Sequence, residues 1–178
     1  MSQQAIQLCE EAKLAYEASN YQSAADMFLE ASHLFEADHD TLMAAEMANN
    51  RSVALLQAGE AQAALDACLG TEHVFSEAGD KLREGLALGN QAAAYKELGL
   101  KKESLRLFRL SASKLEETGD KENLAIVHKT IAALEMETGD NLGAMSAMLD
   151  ALRTKEKLTM REKFLRWLFS VASRMMPK

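Results

Sequence analysis

KLREGLALGNQAAAYKELGLKKESLRLFRLSASKLEETGD, residues 81–120, reads as two amphipathic helices parted by Gly99 and closed by Gly119-Asp120. The same plan recurs forty positions earlier and forty later. Gly59, Gly99 and Gly139 keep that spacing, as do Asp40, Asp80 and Asp120, with Gly79 and Gly119 before the last two. A fixed period of this length marks a chain of stacked helix-turn-helix units. The signals agree with helix ends: an aspartate before a helix accepts from the unpaired amides of its first turn, and a glycine after one closes it in the left-handed conformation. Second helices are expected to begin near Asn20, Glu60, Leu100 and Asp140.

Further columns repeat for packing reasons. Ala12, Ser52, Ala92 and Ala132 are small on the first helix of each unit. Ala24, Ala64, Ser104 and Ala144 are small on the second, as are Ala31, Thr71, Ser111 and Ala151 one stripe further on. Phe28, Cys68, Phe108 and Met148 stand between, mostly large. Small residues let two backbones approach to about 8 Å and a bulky neighbour fills the gap.

These columns resemble the tetratricopeptide repeat, and the series Asn90, Ala92, Tyr95, Gly99, Ser104, Phe108 and Ser111 follows its pattern most closely. The forty-residue period with its Gly-Asp ending is similar to the long variant of G-protein-regulatory scaffolds. The resemblance implies an all-α fold: a right-handed α-solenoid of four repeats, about 1–40, 41–80, 81–120 and 121–159. A helix over 160–178 follows it. The first repeat departs from the pattern at Ser19-Asn20, and the fourth at Thr130 and Glu135, which stands where Leu55 and Tyr95 pack. Gly85 and Gly89, one turn apart inside a helix, fit close packing against a neighbour; Gly89 alternatively opens room for a ligand backbone.

Composition narrows the function. Residues 1–152 hold 12 basic and 25 acidic residues, whereas 153–178 hold 8 and 2. An acidic body does not suit nucleic acid, whose phosphates need a basic face. Cys9 and Cys68 have neither disulfide nor metal-ligand spacing. His33 and His73 share a column, but no carboxylate or thiol recurs beside them, so no metal or cofactor is expected. No nucleophile-base or phosphate-cradling motif occurs, and Glu10-Glu11 and Glu116-Glu117 read as solvated faces, so no enzyme is expected. MSQQAIQLCEEAK lacks the basic start and apolar run of a signal peptide, and the cytoplasm is the expected location.

Ligands of such solenoids lie along the inner face, built from first helices. The resemblance implies that the asparagine two positions before the first small residue reads a bound peptide's main chain; Asn50 and Asn90 stand there, or else they tie neighbouring helices together. Helical projection adds Asn49, Val53, Gln57, Gly89, Ala93, Lys96 and Lys129 to a candidate groove. Cys9, Lys13, Asn50, Gly89 and Ala93 keep too little of the Lys, Asn and Arg set with which family members clamp chaperone tails. The expected partner is a protein or peptide.

Thr159 and Glu162 form a capping box, so the last helix should begin near Met160. Its apolar arc, including Phe164, Trp167 and Phe169, is wider than one packed face needs, and Lys163, Arg166 and Arg174 make it basic. Three uses stay open: a terminal cap over Met148, Leu149 and Leu152, docking to a partner or a second copy, and contact with a membrane surface.

Overall fold

The structure, a computed structural model, describes residues 3–155 and 157–175, with side chains to 170. Among them there are ten helices and no strand. They are α1 (Gln3–Glu17), α2 (Tyr21–Ala37), α3 (Thr41–Gln57), α4 (Ala61–Cys68), α5 (Thr71–Glu77), α6 (Lys81–Glu97), α7 (Lys101–Thr118), α8 (Lys121–Glu137), α9 (Asn141–Thr154) and α10 (Met160–Met175). Helices pack mainly as sequence-adjacent pairs: α1 with α2, α2 with α3, α6 with α7 and α8 with α9. None is long and apolar enough to cross a membrane.

The turns explain the regular spacing. Asp80 ends one helix and begins the next: its amide donates back to the Phe75 carbonyl at 2.9 Å, while its Oδ1 accepts from the Arg83 amide at 2.9 Å. Gly79, at φ 71°, supplies the left-handed residue between them. This is the Schellman closure joined directly to an N-cap, which needs only two residues. The same back-bond closes α1, α2, α3, α6 and α8, reaching from Asn20, Asp40, Glu60, Leu100 and Asp140. Asp40, Asp120 and Asp140 cap their helices as Asp80 does.

One element departs from the expected plan. The spacing predicts a single second helix after Glu60, yet the chain breaks at Leu69-Gly70, where Gly70 adopts φ 86° and α5 starts afresh. The break frees the Cys68 carbonyl. Two side chains satisfy it: the Thr71 hydroxyl donates at 2.7 Å and the Gln91 amide at 3.1 Å. A buried carbonyl left without donors would cost about 1–3 kcal/mol. Thr71, expected only to be small, thus also caps.

Two main cores result. One gathers Phe28, Phe35, Met47, Leu55 and Leu65 under α1–α4; the other gathers Leu107, Phe108, Leu115, Ile131 and Leu134 under α6–α9. Tyr95 packs against both. Small hydroxyls at helix crossings donate to the facing backbone: Ser32 to Ala44 O at 3.0 Å, Ser104 to Ala92 O at 2.8 Å and Ser111 to Gly85 O at 2.7 Å. Gly85 and Gly89 lie against α7. A methyl on Gly85 would stand 3.1 Å from Leu115, and one on Gly89 3.3 Å from Ser111 Oγ.

Candidate functional site: the groove over α1, α3 and α6

The first-helix side carries two depressions that meet at α3. Between α1 and α3, one of about 210 Å³ is lined by Lys13, Tyr16, Glu17, Phe28, Asn50 and Val53. Between α3 and α6, one of about 280 Å³ is lined by Glu46, Asn49, Asn50, Val53, Phe75, Arg83, Leu86 and Asn90. Asn50 and Val53 belong to both, on the ridge between them.

Their walls are fixed differently. Tyr16 is held edge-on by Tyr21, with ring centroids 5.3 Å apart. Arg83 spans the second depression: Nε donates to Asp80 Oδ2 at 2.7 Å, Nη1 donates to Glu46 Oε2 at 3.0 Å, and the guanidinium lies 5.1 Å from the Phe75 ring centre. Burial opposes the Arg83 charge, but the bonds to Asp80 and Glu46 outweigh it and raise its pKa. The Arg83 amide, first among several donors, holds the Asp80 carboxyl below its ordinary value. Arg83 is thereby locked as a wall.

The three asparagines differ. Asn49 is 8% exposed; its amide donates to Ala45 O at 3.2 Å, and its carbonyl lies 3.3 Å from the Thr71 hydroxyl. Asn90 donates to the Asn49 carbonyl at 3.4 Å, linking α6 to α3. Asn50 is half-buried, and its side chain forms no hydrogen bond with any described residue. It presents both donors and both acceptor lone pairs to the groove.

Of the other expected groove residues, Val53 lines both depressions. Gly89 and Ala93 are half-buried on α6, and Gln57 and Lys96 are exposed near helix ends; none of these four lines either depression. Lys129 lies elsewhere, in a hollow of about 430 Å³ formed with Lys121, Ile126 and Lys155. Tyr16, Phe28, Glu46, Phe75 and Arg83 were not legible as groove residues. Phe75 reaches the site only because the Gly70 break redirects α5, and the Arg83–Glu46 pair joins residues 37 apart, off the forty-residue register.

Between α7 and α8, Glu135 is 4% exposed beneath Arg109, which donates to its Oε1 at 2.6 Å, while Oε2 has no partner among the described residues. Among the described residues no group of three or more His, Cys, Asp or Glu could hold a metal ion, and His33 and His73 are exposed. Burial pushes the Cys68 thiol up to about 11, and Cys9 is raised by burial too. On α10, Lys163, Phe164, Arg166 and Trp167 are exposed and Phe169 is half-buried; the Arg174 side chain lies outside the described residues. The chain matches no protein-family model, and a search of curated proteins found no match.

Proposed function

We propose that the chain is a non-enzymatic adaptor of the tetratricopeptide kind, a right-handed α-solenoid of four forty-residue repeats. Its concave face holds an extended segment of another protein in the cytoplasm. The observation that carries this reading is Asn50: a half-buried amide with no partner among the described residues, standing between two depressions walled by Tyr16 and Phe28 on one side and Phe75 and Leu86 on the other. A peptide's main chain satisfies such an amide without regard to sequence, while its side chains supply selectivity. Both depressions fall below the roughly 300–1,000 Å³ of small-molecule sites, which suits single side chains. Lys13 and Glu17 at one end and Glu46 and Arg83 at the other leave the groove without net charge. The client is therefore apolar at two positions, not strongly acidic or basic.

Panning a random displayed-peptide library on the immobilised full chain tests this. Enriched peptides should carry two large apolar residues flanking a short spacer, and Asn50→Ala should weaken the best of them by roughly tenfold, the worth of one or two hydrogen bonds. Its melting temperature should stay unchanged. No enrichment, or equal affinity for the variant, would refute the reading.

A further inference from the structure

The last helix is turned outward. Glu162 and Phe169 occupy its half-buried side, next to α9. On the opposite side of the helical projection Met160, Phe164, Trp167 and Leu168 are 80%, 58%, 59% and 42% exposed. A helix serving only as a cap would place that stripe inward and its cations outward; here both face water. Arg161 and Lys163 flank the stripe, and Lys155, Lys157 and Arg166 are exposed nearby. Glu162, the one acidic residue after Glu156, accepts from Lys155 at 2.7 Å and from the Thr159 amide at 2.8 Å. Within α10 itself nothing acidic therefore borders the apolar stripe.

A second observation lies at the root of this helix. Lys121, Lys129 and Lys155, against the single carboxylate of Glu122, line the hollow of about 430 Å³ whose apolar part is Ala125 and the 54% exposed Ile126. Lys155 serves both features, since it lines the hollow and holds Glu162. Lysines beside exposed apolar surface match a bilayer interface, where phosphates lie next to acyl chains. Aromatic rings and flanking cations are what place an amphipathic helix there. The charge balance fixes orientation, because an anionic surface attracts this end and repels the strongly acidic remainder. A second copy is a poorer occupant, since the groove of α1, α3 and α6 has no net charge to draw a basic helix.

We propose that α10, together with the lysine-lined hollow, docks the protein onto an anionic membrane surface, with α10 lying in the interface plane. Trp167 is the only tryptophan, so its emission reports on this helix alone. The full chain is mixed with phosphatidylcholine vesicles and with vesicles containing about one-third phosphatidylserine. The expected result is a blue shift of Trp167 and quenching by brominated acyl chains with the anionic vesicles only. About 1 M salt, where the Debye length is roughly 3 Å, should reverse the binding. Replacing Lys163 and Arg166 by glutamine should lower partitioning by roughly thirtyfold, at about fivefold for each charge. Phe164→Ser with Leu168→Ser, which leaves Trp167 in place, should abolish the shift. All four positions are exposed, and circular dichroism checks that the fold is kept. The proposal is overturned by the absence of a shift with anionic vesicles or by equal partitioning into neutral ones. It is equally overturned if light scattering shows a dimer that the Phe164 and Leu168 substitutions make monomeric.

Discussion

Ser19 and His39 hold φ of 63° and 59°, positions that Gly59, Gly79, Gly99, Gly119 and Gly139 fill elsewhere. A side chain there is strained by about 1–2 kcal/mol, partly offset by the freedom glycine loses on folding. Ser19→Gly and His39→Gly should each stabilise by about 0.5–1 kcal/mol in urea unfolding, and Gly99→Ala should destabilise by a similar amount. Glu135 poses a different problem, because its charge is buried and only one oxygen is paired. Arg109→Leu removes that partner and should cost about 2 kcal/mol or more, whereas Arg109→Leu with Glu135→Leu should be near neutral, since neither charge then remains to be solvated. Leucine already stands at the column positions Leu29, Leu69 and Leu149 of Arg109, and at Leu55 for Glu135. A thermal-melt comparison of these two variants with the native chain decides it.

At the level of elements, the α10 cap carries a pH dependence. The Lys155 ammonium first, then the Thr159 amide and hydroxyl, hold Glu162 down to about 2 from an ordinary 4.5. A depressed carboxyl contributes its helix stabilisation in full above the unfolded value and loses it as pH falls through the folded one. The amide signals of α10 should therefore keep helical shifts at pH 6 and lose them between about 4.5 and about 2, while Glu162→Gln removes that step. Carboxyl NMR of Glu162 reads the same titration directly. The two asparagines of the groove separate by the same logic of partners. Asn90→Ala breaks the link to Asn49 and should lower both client affinity and melting temperature, unlike Asn50→Ala.

Across the whole molecule, the cores under α1–α4 and α6–α9 meet at Tyr95, and a separate small cluster of Ala45, Phe75 and Ala87 draws on α3, α5 and α6. Stacked helical units are stable largely through such interfaces. Tyr95→Ala should cost about 3 kcal/mol by cavity formation. Hydrogen exchange should then show the two halves opening at different free energies, where the native chain opens them together. A chain ending at Thr159 should remain a folded monomer by light scattering, because Met160, Phe164, Trp167 and Leu168 of α10 lie outside the body.

Local chemistry was enough to read the helices apart from the break between α4 and α5. The Gly-Asp turns mark helix ends because an αL residue and a carboxylate acceptor act within a few positions of themselves, and Thr159 with Glu162 marks the last start in the same way. The candidate site was legible at its asparagine columns and at Val53. That Asn49 turns inward while Asn50 stays open, that Gly70 breaks a helix and brings Phe75 to the groove, and that Glu135 is buried under Arg109 all depend on which neighbour lies across a helix crossing. The outward turn of α10 belongs with these. Its periodicity specifies an apolar stripe, but which side meets α9 is decided by packing between elements distant in sequence.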